Sequence, residues 1–184
     1  MIFLKKYWLF VLLAFLISVL IALKIILVIN PPPPPLPEPN HWEGISPQLT
    51  TKKDLEKKLG QPLSTGQEEG FLIYYYPSQT PGWPTKVYLS FQENKVELVK
   101  EYFPGPVKTY NQFMEKLGTP DQELYGPHEG AGFLVFVFNQ KGVALIANPD
   151  SGLVLEIWYF TPITLGEFLE TWGKGLSLTP SKLF

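Results

Sequence analysis

The sequence predicts an α+β protein: an N-terminal transmembrane helix, then two tandem helix-βββ units, each an antiparallel meander, and a closing C-terminal helix. Three observations predict it. Residues 7–23 form an uncharged, largely apolar run, residues 31–39 read PPPPPLPEP, and a helix-like pattern recurs at 51–60, 109–118 and 164–173. The boundaries that follow are a cytoplasmic N-terminus at 1–6, a transmembrane signal anchor at 7–29 and a proline-rich stalk at 30–47. The first repeat then covers 48–106, the second 107–162, and a closing helix and tail 163–184.

Tyr7 to Ile29 is 23 residues, interrupted by Lys24, a length that spans a hydrocarbon core of about 30 Å with modest tilt. Tyr7 and Trp8 stand where interfacial aromatics belong, and Lys24 lies near the outer end, where its long side chain can reach the headgroups. Lys5 and Lys6 favour a cytoplasmic N-terminus. The expectation is therefore a single-pass protein of the cell membrane with an extracytoplasmic C-terminal domain. A cleaved signal peptide would carry a shorter apolar core, about 7 to 15 residues, and an A-x-A-like site, which Ala22-Leu23-Lys24 is not. The seven prolines at 31–39 favour polyproline II, a semi-rigid spacer of about 28 Å.

The recurring segments are TKKDLEKKLG, TYNQFMEKLG and TLGEFLETWG, at offsets of 58 and 55 residues. Thr51, Thr109 and Thr164 fit the N-cap, where a hydroxyl accepts a hydrogen bond from a free first-turn N–H. Asp54, Gln112 and Glu167 complete a capping box three residues later. Apolar residues follow at helical spacing. Gly60, Gly118 and Gly173 stand where a left-handed residue ends a helix, and Pro62 and Pro120 forbid continuation.

The segments behind the first two helices repeat as well. FLIYYYP at 71–77 matches FLVFVFN at 133–139, KVYLSFQ at 86–92 matches VALIANP at 143–149, and VELVKEYFP at 96–104 matches LVLEIWYFTP at 153–162. Each trio reads as three strands, joined by turns such as Glu93-Asn94-Lys95, Gln140-Lys141-Gly142 and Asp150-Ser151-Gly152. The copies differ in two loops, Pro77–Thr85 in the first and residues 121–132 in the second. Loops that break an internal symmetry are where function is sought.

The helix ending in L-G-x-P, the Tyr/Phe-rich strand and the alternating VYLSFQENKVELV together resemble the SmpA/OmlA (BamE-like) repeat of envelope lipoproteins. Two units in tandem are similar to the arrangement of β-lactamase-inhibitor proteins. The resemblance covers about 51–104 and 109–162. It implies a small non-catalytic domain that docks onto other envelope proteins. The lipidated cysteine of the lipoproteins is missing here, so a role in outer-membrane assembly does not transfer.

Composition narrows the chemistry. The chain has 15 lysines, no arginine and no cysteine, and residues 31–184 carry 12 lysines against 17 acids. An acidic chain without guanidinium groups is a poor phosphate groove, so nucleic acid is excluded as a partner. Absent cysteine removes disulfides, thiolate nucleophiles and Cys-ligated metals. His41 and His128 are the two histidines, too few for a zinc site and outside any H-E-x-x-H pattern. No serine stands in G-x-S-x-G, and the glycines at 126, 130 and 132 are not followed by the Lys-Ser/Thr of a phosphate loop. Carboxylates gather at Glu68-Glu69 and at Asp121, Glu123 and Glu129, a pattern usual for solvated loops. No enzyme, metal or cofactor is expected.

The aromatic load carries the functional expectation. Tyr74, Tyr75 and Tyr76 put rings on both faces of one strand, whereas a meander with helices on one face carries polar residues on the other. Either the sister repeat or closing helix covers the second face, or that face is an aromatic docking surface. The candidate binding residues are Trp83, Tyr74, Tyr76, Tyr125, His128 and Trp158. Trp83, in Pro81-Gly82-Trp83-Pro84, is either an interface anchor or a lid over the tyrosine strand. The leading expectation is a membrane-anchored, non-catalytic protein-interaction module of the cell envelope, partnered by another envelope protein. The alternative is a cell-wall or glycan-binding domain using the same aromatics.

Overall fold

The computed structural model describes residues 3–29, 40–78, 82–103 and 109–181, and the chain divides into two units. One is helix α1 (Phe3–Ile29). The expected anchor is corrected here: among the described residues no helix is long and apolar enough to cross a membrane. Lys6 and Lys24 bracket an uncharged run of 17 residues, about 26 Å of helix against a hydrocarbon core of about 30 Å. The signal anchor, the single-pass topology, the cytoplasmic N-terminus and the extracytoplasmic, cell-membrane localisation all rested on that span and fall with it. The core of the expected stalk, residues 30–39, lies outside the described residues.

The other unit runs α2 (Lys52–Leu59), β1 (Ser64–Glu68), β2 (Phe71–Tyr76), β3 (Thr85–Ser90), β4 (Val96–Tyr102) and α3 (Tyr110–Leu117). It continues through β5 (Gln122–Leu124), β6 (Leu134–Phe138), β7 (Val143–Ala147), β8 (Val154–Phe160) and α4 (Leu165–Glu170). The expected helix-βββ arrangement does not hold. Each of α2 and α3 precedes four strands, and the eight strands form one antiparallel sheet in the order β1-β2-β3-β4-β8-β7-β6-β5. The missed strands are the two edges. Their sequences, STGQE and QEL, are mostly polar and, in β1, largely exposed, so they carry no apolar alternation to read.

Helix ends are set locally. Thr51 Oγ1 accepts from the Asp54 N–H at 3.2 Å, the Thr109 N–H donates to Gln112 Oε1 at 3.0 Å, and Thr164 and Glu167 form a full capping box. Gly60 and Gly118 end α2 and α3 at positive φ. Gly173 does not play that part, because α4 stops at Glu170. Its N–H reaches back to the Phe168 carbonyl at 2.7 Å, and a Cβ there would meet the Phe168 ring at 2.8 Å.

Two layers of core result. On one face, Leu55 of α2 and Phe113 and Leu117 of α3 pack with Tyr74, Tyr76, Val99, Ile157 and Tyr159. On the other, Phe168 of α4 packs with Ile73, Tyr88, Leu98, Trp158 and Phe160. Register shifts between Tyr88/Leu89 and between Ile146/Ala147 leave Glu97 and Leu155 as extra residues on β4 and β8. Such bulges reset the alternation. Val154 accordingly faces the α2/α3 layer, while Trp158 and Phe160 face α4.

Burial pushes the Tyr76 phenol up to about 12 and raises Tyr88 and Tyr159 as well. Phenols that ionise later in the folded chain stabilise it fully below the ordinary value of 10, and that contribution is lost as pH rises through the folded values. The phenols' contribution to the denaturant midpoint should hold steady up to pH 10 and fall between 10 and 12. Tyr76→Phe should remove part of the fall.

Candidate ligand-binding groove

Strands β4 and β8 meet at the middle of the sheet with Lys100 directly opposite Trp158. These positions are equivalents in the internal repeat, 58 residues apart. The flanking pairs, Leu98↔Phe160 and Tyr102↔Glu156, stand symmetrically about them. An approximate two-fold axis therefore passes between Lys100 and Trp158, and the two halves differ most sharply there, a cation facing an indole.

The α4 side of the sheet is recessed over this axis. A cavity of about 280 Å³ takes Glu68, Phe71, Tyr88 and Lys100 from the first half and His128, Glu156 and Trp158 from the second. A second recess of about 170 Å³ shares Glu68, Tyr88, Lys100 and Glu156 with it and extends to Trp83 and Tyr102. Together they form a groove. The six-residue α4 covers the second half, where Phe168 lies 6.3 Å from Trp158 and 5.2 Å from Phe160, ring to ring. Beyond it, Trp172 crosses to the first half, 5.1 Å from Phe71 and 6.5 Å from Tyr88.

Lys100 dominates the electrostatics. Its Nζ sits 4.0 Å from the Trp158 ring centroid and 5.4 Å from that of Tyr88, so two negative ring faces hold the cation. Among the described residues it has no ion-pair partner. Burial holds it below the ordinary lysine range, and Glu156 and Glu68 work the other way. Glu156 accepts from Trp158 Nε1–H at 2.8 Å, which fixes the indole. Glu68 accepts from the Tyr88 hydroxyl at 3.3 Å and lies 3.9 Å from Lys86 Nζ.

The residues expected from sequence divide between the faces. His128 and Trp158 line the cavity and Trp83 the adjoining recess. Trp83 is 57 % exposed and stacks on Tyr102 at 4.6 Å, not on the tyrosine strand; Pro81 beside it lies outside the described residues. Tyr74 and Tyr76 belong to the α2/α3 layer, donating to Glu56 at 2.8 Å and to the Gly60 carbonyl at 3.2 Å. Tyr125 is half-buried and exchanges both backbone hydrogen bonds with Ser177. His128 does not meet Asp121 or Glu129 in the cavity, and Glu129 accepts instead from the Ser181 N–H. No group of three metal-ligating side chains occurs among the described residues. Lys100, Tyr88, Glu156 and Trp172 were not anticipated. The signal available was the alignment of the repeats, which sets Lys100 of VELVKEY against Trp158 of VLEIWYF.

No family model matches the chain, and no curated protein matches it. Among solved structures it is similar to a DUF4309 family protein, YjgB, from Bacillus subtilis, at 14 % identity and a TM-score of 0.45, over 65 % of this chain and 84 % of that one. It is also similar to an extracellular protein containing an SCP domain from Bacillus anthracis, at 13 % identity, TM-score 0.45, over 70 % of this chain and 48 % of that one. A cysteine-rich secretory protein from Staphylococcus aureus gives 12 % identity and a TM-score of 0.44 over 78 % and 55 %. The chain spans about half the length of these last two.

Proposed function

We propose that the chain is a non-catalytic binding module that docks another protein along the groove on the α4 side of its sheet. The observation that supports this is the open aromatic surface there: α2 and α3 close one face, whereas the groove from Trp83 to Trp172 stays uncovered on the other. Trp83 is its anchor, a rigid aromatic held by Tyr102 at the rim and suited to fill a partner's pocket.

A photo-crosslinking residue at Glu69, exposed at the groove, should capture a discrete protein in the native cell that the same residue at Lys53, exposed on α2, does not. Equal capture at both positions, or none, overturns the reading. Trp83→Ala should weaken the captured complex by about 2 kcal/mol or more. Its own stability should fall by only about 1 kcal/mol, the scale of one exposed aromatic pair. Titration of the purified partner and denaturant melts check the two halves.

A further inference from the structure

We propose that the cavity over the sheet's two-fold axis binds a neutral saccharide ring, with the Lys100 ammonium donating to its hydroxyls and Trp172 and Phe71 receiving its C–H face. This goes beyond the protein-docking reading and does not depend on it, since Trp83 is not among the residues lining this cavity.

The size comes first. A cavity of about 280 Å³ lies just below the usual span of small-molecule sites, about 300 to 1,000 Å³, and accommodates one ring rather than a peptide segment. Its charges come next. Glu68, Glu69 and Glu156 face Lys100 and Lys174 across the same space, so both signs are present and neither dominates strongly. A ligand with a large charge of its own meets like charges on the wall. A purely apolar ligand strands the Lys100 ammonium and the Glu156 carboxylate away from water, which is costly. A polyol satisfies both, since each hydroxyl donates to a carboxylate and accepts from an ammonium.

The aromatic walls supply the other half of the recognition. Ring faces are negative and attract C–H bonds that carry slight positive charge. Trp158 is already covered by Lys100 at 4.0 Å, but Phe71 and Trp172 are half-buried and line the space directly. A pyranose offers an apolar C–H face and an equatorial rim of hydroxyls, matching rings on one side and charged groups around the edge.

The test is titration of the full chain with methyl β-glucoside, methyl β-galactoside and N-acetylglucosamine, with leucine as a zwitterionic comparison. The five indole N–H signals in a ¹H–¹⁵N spectrum are the readout. The signals of Trp158 and Trp172 should move with at least one sugar while those of Trp8, Trp42 and Trp83 hold. Lys100→Met, which keeps the stem and removes the donors, should weaken that binding by about ten-fold or more, with the cooperative thermal transition of the folded sheet retained. Lys53→Ala, exposed on α2 and lining neither recess, should leave it unaltered. No shift with any of the sugars, a shift with leucine alone, or equal binding by Lys100→Met overturns the proposal.

Discussion

Replacing Phe168 by alanine is expected to lower the stability of the sheet domain by about 3 to 5 kcal/mol, the range for a fully buried phenylalanine. Phe168 is the buried residue of α4, with no exposed surface, and its ring packs on Trp158 and Phe160. A six-residue helix has little stability of its own, so its fully buried side chain, supported by Leu169 and Trp172, fixes α4 against the sheet. Removing it leaves a cavity beside the two-fold axis and loosens Trp172, four residues on, from Phe71. Denaturant melts give the magnitude. A loss under about 1 kcal/mol, the scale of a surface change, would show that α4 does not seal this face.

Gly142→Ala is expected to cost about 3 kcal/mol or more, combining a left-handed backbone with overpacking. Gly142 has φ +60°, where an L side chain is strained. A Cβ would also lie 2.0 Å from the Phe160 carbonyl oxygen. That atom is backbone, held in place because the Phe160 N–H donates to the Gly142 carbonyl at 2.9 Å. Relief therefore means moving β8 relative to the β6–β7 turn. Gly130→Ala is the control, with open space around its Cβ and no positive φ, and its stability should change by less than about 0.5 kcal/mol.

These two positions were legible to different degrees. Gly142 stands in Gln140-Lys141-Gly142, a turn written in three neighbouring residues, and its role follows from local backbone sterics. The same holds for Thr51, Thr164, Gly60 and Gly118, whose caps involve atoms three or four residues away. Gly173 shows the limit, because the residue type signalled a left-handed end where the close approach of the Phe168 ring was the actual requirement. Strands β2, β3, β4, β6, β7 and β8 were visible as apolar or alternating segments that repeat along the chain. The edge strands β1 and β5 were not, since their pairing comes from the neighbouring strand rather than from their own side chains.

The candidate site was half visible. Trp158, His128 and Trp83 could be chosen as aromatics or loop residues, yet Tyr74 and Tyr76 were equally eligible and lie on the opposite face. Lys100 carried no local sign of its importance. Which residues surround it depends on the β4·β8 register, and a shift by one residue would put Lys100 and Trp158 on opposite faces of the sheet. Short-range hydrogen bonds wrote the helix ends and turns into the sequence. Pairing between strands 58 residues apart, and the bulges at Glu97 and Leu155, chose the face, because side-chain direction in a strand is set by a partner that no local window contains.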